Sequence, residues 1–337
     1  MNKKIWVSVV VSIIVISSIG VVFWWQMSQK SEKKPINQNI EYPVEFVRPG
    51  YISGGNYYNG SNISFDVSLS AKLETWSSYG NVYDVVFHTN REKATQIASA
   101  LGVNGTISNG YEGWRIENGQ KSVEFITPDY NPNSNYSMSL RYRDSSIPVG
   151  VDESKFISNE SCVEIVQRFM ETTVLSKILV NAKNNLRIEC RYVGADKEYI
   201  PGGTVKIIAK VVDAKMYYDS FELDWRYAFR LNSTGHILWI DGPTDFTLSK
   251  NSSVYIGSPN QILQYIKKEG LLINKTSDKV EKILITDIRT LYAAMPEISG
   301  PAVTGVVLAP MHYITYEVYY SDNSTEISYD ALTIKGA

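Results

Sequence analysis

One apolar run sets the plan of this chain. From Ile5 to Trp25 it is interrupted only by Ser8, Ser12, Ser17, Ser18 and Gly20. Twenty-one residues at about 1.5 Å rise extend about 30 Å, the depth of a bilayer's hydrocarbon core. Trp24 and Trp25 stand where interfacial aromatics anchor a span. A cleaved signal peptide needs a shorter apolar core and a small-residue cleavage site, and Val21-Val22-Phe23-Trp24-Trp25 offers neither. The run therefore predicts an uncleaved single-pass helix that engages the membrane through Ile5–Trp25. Lys3 and Lys4 hug the run, whereas Lys30, Lys33 and Lys34 are set back and diluted by Glu32. That asymmetry places the amino terminus inside and the rest of the chain outside the cytoplasm.

The remainder is built to fold. With 337 residues, 44% hydrophobic and 20% charged, the chain can bury a real core. A net charge of -2 leaves no electrostatic footprint for nucleic acid. The 23 Tyr and 7 Trp tilt the composition toward pleated, half-buried surfaces. Composition and turn signals divide the chain into an anchor over 1–27, a polar stalk over 28–45, an N-terminal unit over 46–147 and a C-terminal domain over 148–337. The seam falls near Ile147–Asp152.

Three helices have readable ends. Thr89 and Glu92 form a capping box ahead of the Ala94, Ile97, Ala98, Leu101 stripe, which Gly102 closes. A second runs from about Glu160 to Val174 with Cys162, Ile165, Val166, Phe169 and Thr173 on one face. The third has Ser258 as N-cap and Pro259 in its first turn. Ile262, Leu263 and Ile266 face inward, Lys267 and Lys268 lie at the end, and Gly270 stops it. Asn118-Gly119 marks a hairpin turn, and strand-like runs fill most of the rest, including 221–231, 283–292, 303–308 and 312–320. Short one-sided helices interleaved with strands predict an α+β fold, with helices on one face of antiparallel sheets after a single transmembrane helix.

Chemistry is sparse. His88, His236 and His312 show no i, i+4 pairing and no Cys-x-x-Cys accompanies them, so neither a metal site nor a cofactor is expected. No Gly-x-Ser-x-Gly elbow occurs. Carboxylates gather at Asp219, Glu222, Asp224, Asp241 and Asp245, and paired carboxylates can do acid–base work on glycans. Glu222 and Asp224 alternate with Phe221, Leu223 and Trp225, however, as any solvated strand face would. No catalytic residue is expected. Trp225, Tyr227, Tyr316 and Tyr320 lie on strands with aromatics on alternate faces and are candidate interface anchors, although β propensity alone also accounts for them. Cys162 and Cys190 either pair as a disulfide or stay as buried thiols.

One stretch resembles a known pattern. It comprises the turn Asn232-Ser233-Thr234-Gly235, the Ser258-Pro259 helix ending in Lys268-Glu269-Gly270, and Pro310 to Val318 leading to Tyr329-Asp330-Ala331-Leu332. In these features Phe156–Lys335 is similar to the extracytoplasmic regions of PepSY-related proteins and YycI/YycH-type regulators. His312 and Thr315 depart from the usual apolar or aromatic positions, and the N-terminal unit is extra. The resemblance implies regulation by contact with a protein partner such as a sensor kinase or a protease, and it carries no catalytic residues. The expectation is thus a membrane-anchored binding or regulatory protein, with a cell-wall or glycan-directed hydrolase using Asp219–Asp245 as the alternative.

Overall fold

The sheet at the centre of the molecule follows from strict alternation along successive strands. Across β6 (Gly113–Asn118), β7 (Lys121–Ile126), β8 (Ser139–Asp144), β12 (Ile237–Pro243), β11 (Phe221–Leu231) and β10 (Thr204–Tyr218), the residues Ile116, Val123, Tyr142, Ile240, Phe229 and Val212 lie opposite one another. All six are buried. The residues one step along each strand, Arg143, Trp239 and Arg230 among them, point the other way. With β5 (Ser108–Asn109) beyond β6 and β9 (Leu186–Ile200) beyond β10, this makes eight antiparallel strands with one apolar face.

The computed structural model describes residues 45–48, 56–58, 64–73, 79–146, 156–182, 185–200, 204–218, 221–273, 280–299 and 302–334. Among them, seventeen strands stand against three α-helices. The expected α+β class is therefore corrected to a mostly-β architecture, a mixed sheet of fifteen strands plus a separate two-stranded ladder. Among the described residues no helix is long and apolar enough to cross a membrane. The expectations of a transmembrane helix, a single-pass anchor and an extracytoplasmic placement are corrected on that finding. Residues 5–25, on which they rested, and the stalk up to residue 44 lie outside the described residues, as does the seam at Ile147–Asp152.

A second group of strands completes the sheet. β15 (Val280–Ser299) and β16 (Ala302–Tyr320) form a long antiparallel hairpin, flanked by β17 (Thr325–Ile334) and β1 (Phe46–Val47). β3 (Ser64–Leu73) runs parallel to β15. The ribbon of β4 (Tyr79–Phe87) and β13 (Phe246–Tyr255) joins β16 at Val306–Leu308. One parallel pairing, Leu223 with Tyr292, links β11 to β15 and so unites the two groups. β14 (Leu271–Ile273) and β2 (Asn56–Tyr58) form the separate ladder.

The runs 303–308 and 312–320 are one strand, despite Pro310 between them. Proline has no N–H to give a ladder. Here β16 pairs with β4 up to Leu308 and with β17 from Met311 onward, so Pro310 falls in the gap between the two neighbours. The proline marks a change of partner and not a strand end.

The helices form where their caps predict, with small shifts. α1 (Arg91–Ala100) is capped by Asn90, whose side chain accepts from Lys93 N, and not by Thr89. Thr89 is buried and bridges to Ser137 instead. α2 (Asn159–Phe169) starts at Ser158 and widens into a π-helical segment, Met170–Ile178. The Thr172 hydroxyl there returns to the Arg168 carbonyl at 2.7 Å, and that of Ser176 to Thr172 at 2.6 Å. α3 (Pro259–Glu269) carries the full capping box of Ser258 and Gln261, and Gly270 ends it at φ 80°. The β6–β7 turn is centred on Gly119 and Gln120, one residue later than expected, with Gly119 supplying φ 62°.

Ala94, Ile97 and Ala98 of α1 and Cys162 and Val166 of α2 share one buried cluster with the apolar face of the eight-stranded sheet. α3 instead caps a second cluster with Ile283, Ile285, Ile314, Tyr316 and Val318.

Candidate functional site

A cleft of about 630 Å³ opens where the two groups of strands meet. β11 contributes Asp224, Trp225 and Arg226, and β12 contributes Asp241, Gly242 and Pro243. Phe87, Met138 and Val306 close it from other strands and loops. Alternation on β11 explains the mixed lining. Trp225 shares the parity of buried Tyr227 and Phe229, whereas Asp224 and Arg226 share that of the open face. Trp225 packs edge-on against Phe246 at 5.1 Å and is tilted against Phe87 at 5.7 Å, which fixes its indole at the cleft wall.

The lip is polar and acidic. Asp224 is exposed and accepts a hydrogen bond from the Tyr313 hydroxyl at 2.9 Å. Asp241 is part-exposed, with Arg141 Nε 3.8 Å away, and Arg141 is shared with Glu112 at 2.9 Å. Arg226 is engaged by Asp213 at 3.1 Å. The cation in the lining is thus neutralised, while among the described residues Asp224 is held by a neutral hydroxyl.

Of the carboxylates read from the sequence, Asp224 and Asp241 line the cleft, and Glu222 and Asp245 do not. Glu222 is paired with Lys215, away from the cleft lining. Asp245 is fully buried, where it accepts from Lys93 and from both the backbone and side chain of Asn181. Asp219 lies outside the described residues. Asp224 and Asp241, the two that do line the cleft, are both solvent-accessible.

The four candidate anchors separate sharply. Only Trp225 reaches the cleft. Tyr227, Tyr316 and Tyr320 are core residues, which corrects their reading as interface anchors. Each has an internal acceptor: Tyr227 donates to the Pro243 carbonyl at 2.6 Å, Tyr316 to that of Leu272, and Tyr320 to Glu326 at 2.8 Å. Burial pushes the Tyr227 phenol well above its usual range, and the Asp245 carboxylate adds to it.

Cys162 and Cys190 are free thiols, the first buried and the second half-buried. Burial pushes both up, Cys190 to about 12, so neither supplies a thiolate nucleophile near neutral pH. Each histidine has a partner. His88 meets the Thr247 hydroxyl at 2.8 Å, His236 meets Asp144 at 3.1 Å, and His312 is buried between Thr290 and Ile256. Among the described residues no group of three or more His, Cys, Asp or Glu could hold a metal ion.

Sequence reasoning found Trp225, Asp224 and Asp241 but missed Phe87, Met138 and Val306. These come from distant parts of the chain, and only tertiary pairing brings them together.

No family model matches the chain, and no curated protein does. It is similar to a solved structure described as an uncharacterized protein from Eubacterium rectale ATCC 33656. The sequence identity is 12%, the coverage 80% of this chain and 88% of that one, and the TM-score 0.45.

Proposed function

We propose that this protein works by contact, taking a segment of a partner protein into the cleft at Trp225, and not by catalysis. What carries the reading is the make-up of the cleft. Its wall is a fixed indole with Phe87, Met138 and Val306 beside it, its lip holds Asp224 and Asp241, and no His, Cys or Lys is among the described residues that line it. An aromatic wall in a concave site is where contact energy concentrates. The acidic lip selects the charge of what enters: a large apolar side chain next to a Lys or Arg. The resemblance of Phe156–Lys335 to PepSY-related and YycI/YycH-type regulatory regions adds support, because it implies action on a protein partner such as a sensor kinase or a protease.

Selection from a library of displayed random peptides tests this. The parent should enrich sequences that pair an apolar residue with a nearby Lys or Arg. Trp225→Ala should abolish the enrichment, and Asp224→Asn with Asp241→Asn should remove its basic component. Enrichment unchanged in all variants, or none with the parent, overturns the proposal.

A further inference from the structure

The eight-stranded sheet ends on two unequal strands. β5 has two residues, whereas β9 has fifteen. Among the described residues β9 pairs with β10 alone, so its outer edge carries no strand. An edge of that length presents a row of backbone N–H and C=O groups to which a further strand can add. The apolar face is open there as well. Leu186, Ile188 and Cys190 pack against the main buried cluster but stay half-buried.

The other face of β9 carries alternating charge, with Arg187, Glu189 and Arg191 all exposed. Arg187 and Glu189 meet at 3.3 Å in a pair open to solvent, which holds neither firmly. Arg191 lies opposite Asp213 of β10, but that carboxylate is engaged by Arg226 at 3.1 Å. Among the described residues Arg191 has no ion-pair partner. Val193 is 44% exposed. It is the extra residue of a bulge, because Val211 pairs with Gly194 and Val212 with Tyr192. Charges and a bulge guard an edge against strands at large. A row that reads positive, negative, positive is nevertheless its own complement when it runs antiparallel.

We infer that β9 pairs antiparallel with β9 of a second copy about a two-fold axis at Cys190, so that one sheet runs through both chains. In that register Glu189 faces the other copy's Arg191, twice over, and the stem of Arg187 covers the other copy's Val193. Cys190 meets its counterpart and Ile188 meets Tyr192, which continues the half-buried apolar row across the junction. The neighbouring registers fit less well. Centring on Glu189 sets it against itself and sets Arg187 against Arg191. Centring on Ile188 puts Arg191 opposite Asn185 and leaves Val193 uncovered. None of these residues lines the cleft at Trp225, so the two surfaces are separate.

Sedimentation velocity of the full-length chain, read over a range of protein concentrations, tests the interface. The parent should show a monomer–dimer equilibrium. Arg191→Glu sets a carboxylate against Glu189 at two symmetric contacts and should weaken the dimer about tenfold. Glu189→Arg should do the same. The double variant, Glu189→Arg with Arg191→Glu, restores the opposition with its signs exchanged and should recover the dimer. Neither a misfolded chain nor association through another surface would give that recovery. Circular dichroism on each variant separates lost pairing from lost folding. A parent that stays monomeric at every concentration overturns the assignment. So does an Arg191→Glu dimer as tight as the parent's, or a folded double variant that stays as weak as the single ones.

Discussion

His312 Nε2 lies 2.7 Å from the carbonyl oxygen of Ile256, deep in the sheet formed by β15, β16 and β17. With Thr290 Oγ1 3.0 Å from the other ring nitrogen, both nitrogens are satisfied by a neutral imidazole that donates to the carbonyl and accepts from the hydroxyl. Burial lowers the His312 pKa to about 4, only partly opposed by the carbonyl of Ile256.

That gives a signed pH dependence. The folded-state pKa lies below the unfolded value of about 6.5, so between pH 6.5 and 4 the unfolded chain binds a proton that the folded chain does not. The contribution is fully present above pH 6.5 and falls by about 1.4 kcal/mol per pH unit below it, about 3 kcal/mol in all. Urea unfolding of the parent and of His312→Gln between pH 7.5 and 4.5 should show the steeper decline in the parent. Parallel declines would mean that His312 is not buried neutral.

The cap of α3 is a second test. The Ser258 hydroxyl accepts from Gln261 N at 3.3 Å, and the Gln261 side chain returns to Ser258 N at 2.9 Å. Ser258→Ala should cost about 1 kcal/mol, and Pro259→Ala less, because proline at the first helical position gives up no needed N–H. Equal urea midpoints for Ser258→Ala and the parent would contradict this.

How far the sequence could be read depends on range. The α3 start was legible because Ser258, Pro259 and Gln261 act on neighbours within one turn. The α1 cap was off by one residue because Thr89 and Asn90 are both good caps, and the contest was decided by Thr89's pairing with Ser137, far along the chain. The strand break expected at Pro310 failed for the same reason: the two neighbours of β16 change there, which no local pattern records. Tyr316 and Tyr320 looked like interface aromatics because Tyr313 and Tyr319 put aromatics on the opposite parity of the same strand, so residue type alone does not say which face is the core. Which tyrosine is buried then rests on partners such as Leu272 and Glu326. In the cleft, Asp224 and Trp225 were visible as a charged residue beside an aromatic one, but Phe87 and Val306 carry no signal until β4 pairs with β16.

Gly242 should prove intolerant of any side chain. It lies on β12 beneath the Tyr227 ring, and a Cβ there would run into that ring's atoms. Tyr227 is pinned by its bond to Pro243, one residue along, so it cannot swing clear. Gly242→Ala should therefore lower stability by about 1–3 kcal/mol, the usual cost of overpacking. Tyr227→Phe should cost about 1 kcal/mol for the lost hydrogen bond. Thermal melts of both check the order, and a Gly242→Ala protein as stable as the parent would rule the contact out.

The tie between Lys93 of α1 and Asp245 carries the last prediction. Asp245 is wholly shielded from solvent, and its acceptors are filled by Asn181 N at 3.1 Å, by Asn181 Nδ2 at 2.6 Å and by the Lys93 ammonium. Three separated parts of the chain, at residues 93, 181 and 245, thereby meet on one carboxylate. Removing the cation strands a buried negative charge, a change that costs about 3–5 kcal/mol when both partners are shielded. Lys93 is 20% exposed, so water answers part of the charge and about 3 kcal/mol is the expected loss for Lys93→Met. Adding Asp245→Asn to that variant removes the stranded charge, and the amide oxygen can still accept from Asn181. The double variant should thus regain part of what Lys93→Met loses, a non-additivity that distant sites do not show. Urea midpoints of the parent, both single variants and the double measure it directly. Strict additivity would mean that Lys93 stabilises α1 on its own account and not through Asp245.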